Sequence, residues 1–245
     1  MQAALAAVLG LGLTFAHAQP GGMGMGGGPQ FSGALARLFG NTAFSSSLEM
    51  QVKLAMGAQE MNISMPGKIS FDGTNARLEI DLSEAKGMPG SPEQLKAMGM
   101  DKMVIISRLD KKLLYMVYPG KKFYGELPLR DEEAKPESAF KTEKTELGKE
   151  TIEGHSCVKN KVVVTDDKDK KREFTVWSAT DLKDFPVKIE FTDVSGVNTL
   201  TFRDVKMAKP AADSFEPPAG FEKLDLMKMM GGMGGPGAGG PPPNK

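Results

Sequence analysis

The stretch Arg108-Leu109-Asp110-Lys111-Lys112-Leu113-Leu114-Tyr115-Met116-Val117-Tyr118-Pro119-Gly120-Lys121-Lys122-Phe123-Tyr124 decides how the rest of the chain is read. Asp110-Lys111 offers a turn into a strand over 113–118, and Pro119-Gly120 marks the next reversal, into a strand over 121–126. Leu113, Tyr115 and Val117 fall on one face of the first strand, and Leu114, Met116 and Tyr118 on the other. A strand wetted on one side alternates apolar with polar residues, so a segment apolar on both faces is covered on both. Whether both covers are protein is the functional question this stretch sets.

Upstream, the hydrophobic period is two. Leu48, Met50, Val52, Leu54 and Met56 alternate with Glu49, Gln51 and Lys53. Met61, Ile63, Met65, Ile69 and Phe71 oppose Glu60, Asn62, Ser64, Lys68, Ser70 and Asp72. After Asp72-Gly73, Ala76, Leu78, Ile80 and Leu82 alternate with Arg77, Glu79 and Asp81. Three consecutive one-faced strands predict an antiparallel meander. The alternation stops at 83–100, where Gly87, Pro89 and Gly90 predict a loop. Ser91-Pro92-Glu93 then reads as the capped start of a short helix with Leu95 and Met98 on its apolar side. A helix interrupting a run of strands is a candidate lid. Phe31, Leu35, Leu38 and Phe39 predict another short helix over 31–39.

Downstream, a strand over 103–109 leads into the opening hairpin, and a polar link covers 130–138. Strands over 158–165 and 172–178 flank the charged tip Asp166–Lys170. Ala179–Lys183 is long enough for one helical turn, Pro186 opens a strand through Phe191, and a hairpin at Ser195-Gly196 leads into 197–207. Residues 213–221 close the domain as an extended segment. The pattern predicts a mainly β (α+β) domain: a large curved antiparallel sheet, or half-barrel, of about 9–11 strands with two or three short helices as lid.

Lys plus Arg and Asp plus Glu both number 31, so the formal net charge is zero, which argues against general electrostatic binding of nucleic acid. Residues 1–18 are uncharged and apolar and end Ala16-His17-Ala18, the pattern of a signal peptide rather than a membrane span. No Lys or Arg stands near Met1, so the expectation is a natural start further upstream. Residues 19–30 read as a disordered Gly/Met-rich leader and 227–245 as a disordered Gly/Pro/Met-rich tail, leaving 31–226 as the folded domain. Cys157 is the only cysteine, so no internal disulfide forms and no cysteine stands where lipidation after cleavage needs one. These features predict a protein of the periplasm or the exterior.

Several motifs resemble an uncharacterised bacterial family. They are Gly-Lys-Ile-x-Phe-Asp-Gly-x-x-x-Arg-Leu-Glu (67–79), Arg-x-Asp-Lys-Lys-x-x-Tyr-x-Val-x-Pro (108–119) with Tyr124, Trp-x-Ala-x-Asp-Leu (177–182), Pro-Val-Lys-Ile-Glu (186–190), and the closing segment 213–221. The resemblance spans roughly 44–224. It implies an exported protein with the half-barrel fold of the periplasmic lipoprotein carrier LolA, a sheet wrapped around a helical lid with an apolar cavity that holds acyl chains. The implied partner is an apolar ligand, such as a lipid or a lipoprotein acyl chain; an envelope protein partner belongs to the alternative reading of an interaction module.

The candidate ligand-binding residues are Met50, Met61, Met65, Leu95, Met98, Met103, Met116 and Arg108. Thioethers are flexible and polarizable and suit a wall that accepts variable apolar ligands, although the same residues fill a core equally well. Arg108 shares phase with Val104 and Ile106, which would set a cation near the cavity mouth, where an anionic head group would lie. Arg77 sits beside Glu79 and Asp81 and reads as a surface ion pair. No cofactor, metal or catalytic residue is expected. His155 and Cys157 lack a second pair of Cys or His ligands, tail methionines with Cu(I) affinity read as low-complexity sequence, and no nucleophile elbow, phosphate loop or metalloprotease motif is present. A self-filled core serving as a protein-interaction module is the alternative reading.

Overall fold

The computed structural model describes residues 33–225 except 57–58, 89–90, 130–139 and 194–195, with side chains left out at 55–59. The signal segment, leader, tail and polar link anticipated from sequence lie outside these residues. The described strands are β1 (Phe44–Met56), β2 (Gln59–Phe71), β3 (Ala76–Asp81), β4 (Lys102–Arg108), β5 (Leu113–Tyr118) and β6 (Phe123–Pro128). There follow β7 (Phe140–Ile152), β8 (His155–Asp166), β9 (Lys171–Ala179), β10 (Phe185–Asp193), β11 (Gly196–Lys206) and β12 (Glu222–Leu224). Two short helices, α1 (Gly33–Ala36, continued by a 3-10 turn to Phe39) and α2 (Pro92–Ala97), complete the regular structure with a few further 3-10 turns.

All twelve strands form one open curved sheet in the order β12-β6-β5-β4-β3-β2-β1-β11-β10-β9-β8-β7. Every pairing is antiparallel except β12 on β6. The chain thus makes a meander from β1 to β6 and a second one from β7 to β11, and β1 joins the two by pairing with β11. The strand count exceeds the 9–11 anticipated. β7 was not expected, because it is an edge strand exposed on both faces and so carries no apolar alternation. β12 is only three residues long.

Register puts Phe44, Leu48 and Met50 of β1 beside Phe71, Ile69 and Met65 of β2 on one face, here the helix face. Phe39, at the end of the turn after α1, stacks on Phe44 at 4.9 Å and meets Phe202 edge-on at 5.4 Å; Phe185 lies 4.8 Å from Phe44. Leu35 and Phe39 are buried here as the helical spacing anticipated. This knot of rings anchors a core that runs on through Ile69, Leu78, Val164, Val176, Ile189 and Leu200. Offset and edge-on ring pairs add about 0.5–1.5 kcal/mol each beyond their area burial.

The two-faced hairpin is now accounted for. On the outer face of β4 and β5, Val104, Ile106, Tyr115 and Val117 form a second buried cluster, closed by Phe215. Phe215 belongs to the closing segment, which crosses the back of the sheet as a strap before β12 pairs with β6. Leu113, Tyr124 and Phe221 pack against the same cluster, and Tyr115 meets Tyr124 edge-on at 6.0 Å. The face of Tyr115 and Val117 is therefore covered by the chain's own C-terminal segment, and the face of Leu114, Met116 and Tyr118 is the helix face.

Candidate functional site

The cross-strand register extends the helix face across β2 to β6. Ile69 lies opposite Leu78, Leu78 opposite Ile105, and Ile105 opposite Met116; Gly67 lies opposite Ile80 and Ile80 opposite Met103. Five of the methionines singled out in the sequence, Met50, Met61, Met65, Met103 and Met116, thus share one face. They do not share one environment. Met50 is buried in the phenylalanine-anchored core, opposite Leu200, with 1% of its surface exposed. Met65 and Met103 are half-buried against the edge of that core, and Met61 and Met116 are half-buried and join neither buried cluster among the described residues.

Leu95 and Met98 lie in α2 and at its C-terminal end. Ser91 precedes a proline at the first turn, as expected of a helix start, but its hydroxyl bonds to the Glu93 carboxylate instead of capping a backbone N–H. No residue of α2 is buried, and Leu95, Met98 and Met100 remain half-buried. The loop before α2 is held by Lys86, which exchanges two backbone hydrogen bonds with Ser64 at 2.8 and 2.9 Å. Gly87 (φ +74°) follows, and a Cβ there would run into the Asn62 carbonyl, so only glycine lets this loop cross β2. At the other end of α2, Gly99 meets Gly120 of the β5–β6 turn, where a Cβ on Gly120 would stand 2.6 Å from the Gly99 oxygen. The lid is thus tied down at its two flanks by backbone contacts while its own side chains stay half covered.

Tyr118 and Phe123 pack ring to ring at 5.0 Å on the same side, and burial pushes the Tyr118 phenol up from its ordinary pKa. These two rings, with Ile105 and Leu127, belong to the strip but were not singled out from sequence. Their signal was present, since they share phase with Met116 across the hairpin register, but the register itself was unknown.

Arg108 is a correction. It lies on the strap face, not at the mouth of the methionine strip. Its guanidinium donates to both Asp110 carboxylate oxygens at 2.7 and 2.8 Å, to the Phe215 carbonyl at 3.2 Å and to the Glu216 carboxylate. Lys111 reaches Glu216 as well, at 2.7 Å. Hydrogen bonds from Arg108 hold Asp110 below the usual carboxylate range, and those from Lys111 and then Arg108 do the same for Glu216. Arg77 points the same way, donating to Glu79 at 2.7 Å and to the Ser214 carbonyl at 3.1 Å. Both arginines of the sequence motifs therefore fasten the strap. A polar groove of about 400 Å³ beside it is lined by Ser70, Arg77, Glu79, Asp213, Ser214 and Glu216 and suits no apolar ligand.

Polar chemistry elsewhere is sparse. His155 Nδ1 lies 2.7 Å from the Asp181 carboxylate, but Cys157 is buried and its thiol is pushed up by that burial, away from the reactive thiolate. Among the described residues no group of three or more His, Cys, Asp or Glu side chains is placed to hold a metal. No described helix is long and apolar enough to cross a membrane.

Residues 44–187, from the start of β1 into β10, match the family model of a domain of unknown function, DUF4412. The chain belongs to the DUF4412 family. Comparison with curated protein sequences gives no match. Among solved structures the DUF4412 chain is similar to a LolA superfamily protein from Nitrosomonas europaea, at 15% identity and a TM-score of 0.34, with 75% of this chain and 97% of that one covered. It is similar also to the Mycobacterium tuberculosis lipoprotein LppX, at 15% identity and a TM-score of 0.39, covering 72% and 93%. A third, MucB in complex with MucA(peri), is 15% identical with a TM-score of 0.33, covering 78% of this chain and 59% of that one. At such scores these likenesses say nothing of a ligand.

Proposed function

We propose that this protein is exported and binds a lipid, acyl chain or other apolar ligand on the helix face of β2 to β6, beneath α2, without catalysing a reaction. One observation carries the reading. Met61, Met65, Met103, Ile105, Met116, Tyr118 and Leu127 share this face and are all half-buried, with Ile63, Ile80 and Leu114 buried between them, next to a core that is sealed. Half-covered thioethers can reshape around ligands of different length, and Leu95 and Met98 of the α2 segment are half-buried as well. The apolar, uncharged segment 1–18, read as a signal peptide, supports export.

Lipid extraction and native mass spectrometry of the protein purified from its own cells, with a fluorescent fatty-acid probe in solution, test it. Co-purifying apolar molecules and saturable probe binding that Met103→Glu and Met116→Glu abolish are expected. A protein that carries nothing and binds no probe would remove the proposal. That outcome would favour an interaction module with a self-filled core, a reading to which the fully buried Met50 and the sealed phenylalanine cluster already lend some weight.

A further inference from the structure

β7 forms one edge of the sheet, with β8 as its single neighbour among the described residues. Lys141, Glu143, Lys144, Glu146 and Lys149 are all exposed on it. Across to β8 they face Thr165, Val163, Val162, Asn160 and Val158, none of opposite charge. Elsewhere the outer face matches its charges, as Arg203 does with Glu49 at 2.7 Å and Glu153 at 2.8 Å, and Lys161 with Glu173 at 2.8 Å. An edge defended by lysines alone would repel any second strand. This edge instead carries both signs in an order that can be tested for self-complementarity.

Two copies that join the same edge antiparallel are related by a two-fold axis normal to the sheet, so the residue on the axis faces itself and cross-strand pairs share a face. Centring on Glu143, Lys144, Glu146 or Lys149 sets like charges together on the axis. Centring on Thr142 leaves Lys141 opposite Glu143 as the charge match, and centring on Gly148 leaves Glu146 opposite Lys149. Centring on Thr145 sets Lys144 of each copy opposite Glu146 of the other. The observed bulge at Leu147, which pairs Glu146 with Asn160 and then Gly148 with Lys159, moves the later residues by one place. That shift sets Lys141 of each copy opposite Glu150 of the other, and no like charges meet. Glu150 already accepts from Trp177 Nε1 and lies 3.6 Å from Lys159, so it is held in place to receive a second cation.

We propose that β7 is a dimerisation edge, pairing with β7 of a second copy about Thr145, so that two twelve-stranded sheets run on into one with both helix faces on the same side. Sedimentation velocity and light scattering on the full chain test this. A dimer that weakens with added salt is expected. Lys144→Glu or Glu146→Lys alone should raise the dissociation constant about tenfold or more, because each creates like-charge pairs, and the double variant Lys144→Glu/Glu146→Lys should restore the dimer. Circular dichroism shows whether each variant is folded. Thr145→Cys should form a disulfide-linked dimer on oxidation far faster than Thr142→Cys, which in this register faces Lys149. A chain that stays monomeric at all concentrations, a double variant no better than the singles, or equal cross-linking at 142 and 145 would overturn the proposal.

Discussion

The two wings of the helix face are built from one alternation pattern and finished differently. On the wing of β1, β8 to β11 and α1, Phe39, Phe44, Phe185 and Phe202 lock ring against ring and leave no surface. On the wing of β2 to β6, Met61, Met103 and Met116 stay half-buried, and α2 has no buried residue. Rings with few rotamers fill space once and for all, whereas thioethers with three rotatable bonds fill it adjustably. A protein that needed only stability would have sealed both wings.

The largest expected effect breaks the sealed wing. Phe44→Ala should cost about 3–5 kcal/mol of stability, measured by denaturant unfolding, because the side chain is fully buried among four other rings. Next comes the strap, which holds the back of the open wing. Arg108→Ala should cost about 1–2 kcal/mol, discounted for the exposure of Asp110 and Glu216, and should open residues 212–221 to limited proteolysis. Smaller again, Met103→Ala and Met116→Ala should each cost about 1 kcal/mol or less yet lower fatty-acid probe affinity, separating stability from binding on the open wing. If either costs as much as Phe44→Ala, the two wings do not differ.

The smallest effect is acid dependence of the strap. Asp110 and Glu216 titrate lower in the folded chain than in the unfolded one. Their contribution is therefore fully present above the unfolded value of roughly 4 and is lost as pH falls through the folded value. Proteolytic protection of 212–221 should hold from neutral pH down to about 5 and decline below about 4, and Arg108→Ala should flatten that decline. Protection that changes instead between pH 6 and 8 would assign the strap to other groups.

Much of the fold was legible because burial on one face of a strand writes a period of two. Leu48 to Leu54, Met61 to Phe71 and Ala76 to Leu82 announce β1, β2 and β3. The lid at 92–97 was readable from its proline and apolar side, and the helix before β1 from Leu35 and Phe39. β7 was not readable, since an edge exposed on both faces imposes no hydrophobic period, and its alternating charges say nothing until the edge is known. Arg108 misled because its phase with Val104 and Ile106 names a face but not which of the two covers lies over that face.

By itself, then, the sequence of 108–124 determined that both faces of β5 are covered, because an apolar segment cannot be left wet on either side. Only the tertiary structure decided what covers each. One face received Phe215, brought back from 100 residues downstream in the chain and fastened by Arg77 and Arg108. On the other, Met116 and Tyr118 stay half-buried, next to a turn whose Gly120 meets Gly99 at the end of α2. Local pattern sets which residues must leave water; long-range register and the path of the strap set where they go.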